Sequence, residues 1–150
     1  MEESMQIGAY QLLSPFEMKN GGNCEWTFAS KEGKTYFIKK ISDPVYPTAS
    51  MSEKNRKRKQ KICEDFKERS ERLFQAIGDA NKGNSIAPID FFVHDGRFYI
   101  VTEKVDAAIS FEELSKKSEE QKMIIMKVLA YEMGALSAKK IVHSDLKPEN

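Results

Sequence analysis

The sequence predicts an α+β fold, on three observations. Residues 11–41 are short runs of aromatic and β-branched residues broken by glycine and turn residues, the pattern of antiparallel strands. Residues 53–77 contain neither Pro nor Gly and carry apolar side chains at helical spacing. Two more strand-like runs flank His94-Asp95-Gly96, and helical patterns follow, so strands enclose one helix and further helices come last.

In chain order, strands are expected at 11–16, 25–30 and 35–41, joined through Asn20-Gly21-Gly22-Asn23 and Lys31-Glu32-Gly33-Lys34. Side chains alternate along a strand, so Tyr36, Ile38 and Lys40 share one face of the third, and Phe37, Lys39 and Ile41 the other. Asp43-Pro44 and Tyr46-Pro47 end it, and a loop runs to Ser52. Ser52 is a good N-cap for the long helix, whose apolar stripe would be Ile62, Phe66, Leu73, Phe74 and Ile77, with Gly78 as its stop. Residues 86–92 and 97–105 read as a hairpin, bringing the sheet to five strands. A short helix at 110–114 and a longer one at 119–138, with Ile125, Val128, Leu129, Met133 and Leu136 along one stripe, complete the order.

Composition narrows the function. Length (150 residues) and 40% hydrophobic content suit one compact core. A net charge of +1 excludes a general field for polyanions. The basic run at 54–61 reads as the solvated end of a helix, and nucleic-acid binding is not expected. Cys24 and Cys63 have neither C-x-x-C spacing nor the density of a disulfide scaffold. The first ten residues do not read as a secretory signal, and no run approaches the ~20 apolar residues that a membrane helix needs. A cytoplasmic protein without membrane contact is the expectation.

The most specific string is His143-Ser144-Asp145-Leu146-Lys147-Pro148-Glu149-Asn150, which follows the last helix. It resembles the catalytic loop of eukaryotic-like protein kinases, H-R-D-L-K-P-E-N in the serine/threonine type, and differs only at Ser144. The chemistry accounts for the spacing. A hydroxyl nucleophile needs a carboxylate to aim it and take its proton, a role the resemblance gives to Asp145. Lys147 would neutralise charge on the transferring phosphoryl group, and the Asn150 amide oxygen would bind Mg²⁺, a hard cation. Ser144 replaces the arginine that pairs with a phosphorylated activation loop, which implies a switch of another kind.

The same resemblance extends backwards. Tyr36-Phe37-Ile38-Lys39 occupies the place of V-A-I-K, making Lys39 the phosphate-holding lysine, with Lys40 as the alternative. Its partner on the long helix would be Glu71, then Glu68, although the family register falls on Ser70. Residues 98–105 resemble the fifth strand and hinge. Thr102 is then the gatekeeper, and the backbones of Glu103 and Val105 meet the adenine edge. The glycine-rich loop keeps little of its pattern over 19–26, with Gly21 and Gly22 left to approach phosphates. Trp26 and Phe37 fall where small residues normally roof the adenine. They narrow the pocket, unless a shift of one residue turns the rings to the outer face.

The resemblance therefore implies a kinase small lobe over 1–104, five strands plus the long helix, and the hinge and first helices of a large lobe over 105–150. It implies ATP and Mg²⁺ as cofactors, a protein substrate, and a serine/threonine kinase truncated before D-F-G, so that these residues alone would not transfer phosphate. A pseudokinase scaffold with an occluded nucleotide site is the alternative. A small-molecule kinase comes third.

Overall fold

The computed structural model describes residues 5–18, 24–81, 83–106 and 109–142. It divides into two compact units, one formed by residues up to Arg72 with Pro88–Lys104, the other by Leu73–Ala87 with the residues from Val105 onward.

The first unit is a six-stranded antiparallel sheet with the first part of a long helix. Its strands are β1 (Gln6–Ile7), β2 (Tyr10–Leu12), β3 (Cys24–Lys31), β4 (Lys34–Ile41), β5 (Asp90–His94) and β6 (Arg97–Glu103), in the order β1-β2-β3-β4-β6-β5. The sequence predicts five strands. The sixth is β1, which folds back on β2 through Gly8, where a φ of 58° favours a residue without a Cβ. The first predicted strand is also shorter than expected. Pro15 has no N–H for a ladder, so pairing with β3 lapses after Leu13, whose N–H donates to the Phe28 carbonyl at 2.9 Å, and resumes as a bridge between Glu17 and Trp26. Pro88 similarly delays β5 to Asp90. The β3–β4 and β5–β6 turns carry positive φ at both central residues, Glu32-Gly33 and Asp95-Gly96, as two-residue hairpins require.

One buried cluster covers one face of this sheet, and the long helix packs on the other at Phe98. Ile7, Tyr10, Leu12, Ala29, Ile38, Tyr99 and Val101 are buried together, with Phe16, Tyr36 and Phe92 packed around them. Tyr10 stacks on Phe92 and donates from its hydroxyl to the Asp90 carboxylate at 2.9 Å. Burial, then that carboxylate, pushes the Tyr10 hydroxyl far above its ordinary pKa.

Helix α1 (Glu53–Ala80) starts where Ser52 offers its carbonyl to Arg56 N–H. It brings Phe66 against Phe98, ring centroids 4.9 Å apart, and against Phe91. Within the first unit its buried stripe is Cys63 and Ser70, spaced seven apart around Phe66. The predicted stripe is therefore rotated, since Ile62 and Leu73 are 45% and 43% exposed. The helix also passes Gly78. The chain turns at Asn81, whose side-chain oxygen accepts from Gly83 N–H and whose amide donates to the Ser85 carbonyl, replacing backbone partners.

The second unit contains α2 (Phe111–Ser115) and α3 (Glu119–Ala138). Both begin with capping boxes, Ser110 with Glu113 and Ser118 with Gln121. The buried residue of α3 is Glu132, which accepts from Asn84 Nδ2 and Ser85 Oγ, each at 2.9 Å. Those bonds tie the segment after α1 to α3 within this unit. Met123, Ile124, Met126 and Tyr131 are more than half exposed. No described helix is long and apolar enough to cross a membrane.

Candidate functional site

The second face of the sheet carries the candidate site. Trp26 lies opposite Lys39 in the β3–β4 ladder, Phe28 opposite Phe37, and Phe37 opposite Thr102 of β6. Partners across an antiparallel ladder point the same way, so Trp26, Phe28, Phe37, Lys39 and Thr102 share one face. The rings of Trp26 and Phe37 thus stand on the same side of the sheet as Lys39.

The rings of Trp26, Phe28 and Phe37 meet in a triangle, with centroids 5.5 to 5.8 Å apart. All three are half-buried. The Lys39 ammonium lies 5.7 Å from the Phe37 centroid, and that of Lys104 lies 5.8 Å from Phe28, both within cation–π range. Lys39 is exposed and makes no ion pair with a described residue. Its neighbour Lys40 points through the opposite face, where it pairs with Glu25 and lies over the Phe16 ring. Of the two lysines, Lys39 is the one a soluble anion can reach.

The remaining expected positions are placed as follows. Thr102 is half-buried beside Phe37, and Glu103 is exposed at the end of β6. Val105, 47% exposed, belongs to the second unit. Glu71 is exposed and lies 3.8 Å from Lys67 on its own helix, so the structure does not bring its carboxylate to Lys39. Glu68 likewise pairs with Arg72 along the helix. The position on the buried stripe is Ser70, 8% exposed. Gly21, Gly22, Asp145, Lys147 and Asn150 lie outside the described residues. Among the described residues no cluster of His, Cys, Asp and Glu could hold a metal.

Sequence reasoning missed two features. Phe28 completes the aromatic triangle, and its alternation with Trp26 two residues earlier was the available signal. Glu132 is a lone carboxylate within the apolar pattern of α3, and the polar Asn84-Ser85 pair that satisfies it is far away in sequence.

Seen together, the site is a sheet face with an accessible ammonium beside an aromatic wall, an arrangement able to receive an anion attached to a planar group. No protein-family model matches the chain. The chain is similar to serine/threonine-protein kinase D of Synechocystis sp., at 32% identity over 82 residues, which are 53% of this chain and 16% of that protein. The relationship is thus kinase-like and covers about half of the chain, which matches only a small part of its relative's length.

Proposed function

We propose that the chain is the small lobe and the beginning of the large lobe of a serine/threonine-type protein kinase, with a boundary near residue 104. The observation that carries this reading is the string from His143 to Asn150 in a chain with a kinase-like relative. Asp145 aims the protein hydroxyl and accepts its proton as the γ-phosphoryl group of ATP leaves the β-phosphate. Lys147 offsets charge on that group. Lys39 holds the phosphates from the sheet, Gly21 and Gly22 approach them by backbone, and Asn150 supplies an amide oxygen suited to Mg²⁺. Thr102 closes the back of the pocket, with Glu103 and Val105 at the adenine edge. Glu71 is the proposed carboxylate partner of Lys39, a role that needs it to leave Lys67. The setting is cytoplasmic, with no role for nucleic acid or membrane.

The test is transfer of labelled γ-phosphate to protein by the complete kinase. Asp145→Asn should lower the rate by about 10²–10⁴-fold, the usual contribution of a positioned general base. An unchanged rate contradicts the assignment. With Ser144 in place of arginine, alanine at the activation-loop phosphosite should leave activity intact, and its loss contradicts that corollary.

A second reading is favoured by the aromatic triangle and by Ser70: a pseudokinase scaffold whose nucleotide site is occluded. Calorimetry with Mg-ATP separates the two, since the scaffold gives no heat of binding.

A further inference from the structure

Resting on the reading above, in which Lys39 faces nucleotide phosphates, we infer that Trp26 and Phe37 form an aromatic gate over the base slot and set the affinity for nucleotide. A planar base binds an aromatic side chain by stacking on a free ring face. Few such faces are free here. Trp26 is tilted 33° against Phe37 at 5.5 Å, Phe28 meets both rings edge-on at 5.8 and 5.7 Å, and Lys39 and Lys104 lie over the two phenylalanines. A base entering beside Lys39 has to displace a ring from its partners or an ammonium from its ring.

The backbone cannot yield to make room. Phe37 sits beside Ile38, which is fully buried in the core on the other face, and its strand is paired on both edges, with β3 and β6. Opening therefore depends on side-chain rotation, for which the half-buried rings have solvent on one side. Cutting either ring back to a small residue removes that requirement and exposes the remaining ring as a stacking surface.

The experiment is calorimetric titration of the full chain with Mg-ATP, for the unsubstituted protein, Phe37→Ala, Trp26→Val and Phe37→Ala/Lys39→Met. Each single variant should bind at least tenfold more tightly than the unsubstituted chain, and Lys39→Met should reverse the gain. Trp26 is the only tryptophan. Its emission in Phe37→Ala should change along the same binding curve, and circular dichroism identifies any variant that has lost its fold, in which case the other carries the test. Equal or weaker binding by the folded single variants overturns the gate and leaves the nucleotide site standing. A gain that survives Lys39→Met overturns the gate by placing the nucleotide elsewhere. Absence of binding by every folded protein overturns the gate together with the nucleotide reading.

Discussion

Lys39 and Lys40 are adjacent in β4 and live in different environments. Lys40 points to the face sealed by Ile7, Leu12, Ile38 and Val101, and its charge is compensated by Glu25 beneath Phe16. Lys39 points to the face where rings remain half-buried and no described carboxylate meets it. A buried charge must be paired, whereas an exposed one is free to meet a ligand. One face of the sheet is thus sealed by its own core, while the other is closed by α1 at Phe98 and Phe91 and stays half-exposed around Trp26, Phe37 and Lys39.

The sharpest way to break this comparison is to cut equivalent neighbours on the two faces. Ile38→Ala should destabilise the protein by about 2–5 kcal/mol in urea unfolding, the range for buried aliphatic truncations, because Ile38 has no exposed surface. Phe37→Ala should cost less than half of that. Equal losses would show that the half-exposed part of the second face is as structural as the sealed one. Next in size is thiol reactivity. Cys63 is fully buried, and burial pushes its thiol pKa up, whereas Cys24 at the start of β3 is half-buried. Native alkylation followed by mass spectrometry should therefore modify Cys24 at least about tenfold faster, because the thiolate is the reactive form. Comparable rates would mean that α1 does not shield its part of the sheet.

Tyr10→Phe probes the sealed face more gently. Removing the hydroxyl leaves Asp90 without its donor, and a loss of about 1 kcal/mol is expected from thermal or urea melts. The smallest effect belongs to α2, which lies outside the sheet. The backbone N–H and hydroxyl of Ser110 hold the Glu113 carboxyl below its ordinary value of 4.5. A lowered folded pKa gives stabilisation that is present above the ordinary value and is lost as the pH falls through the folded one. Amide resonances of Phe111–Ser115 should report fraying in that acidic window while β4 stays protected. Loss of both together would make α2 part of the same cooperative unit.

Much of this architecture was legible in the residues. The alternation of β4 separated Lys39 from Lys40, and the helical patterns at 110–114 and 119–138 placed α2 and α3, whose capping boxes the structure adds. Features set by distant partners were not legible. The rotation of the α1 stripe toward Cys63 and Ser70 depends on Phe91 and Phe98 of the sheet, and so cannot be read from the period of the helix alone. Glu71 looked suitable as a partner for Lys39, but Lys67 lies four residues earlier on the same exposed face and captures it locally. For Gly21, Gly22 and the residues from His143 to Asn150, the sequence remains the source of their assignment.

The most direct test of the central claim is to ask which lysine meets nucleotide phosphates. An ATP acyl phosphate, reactive at its terminal phosphate, acylates lysines that lie beside the bound phosphate chain, and peptide mass spectrometry locates the modification. The account predicts acylation of Lys39, protected by excess Mg-ATP, with Lys40 unmodified. Labelling that spares Lys39, or that falls equally on Lys40 and the lysines of 54–61 without protection, would contradict it.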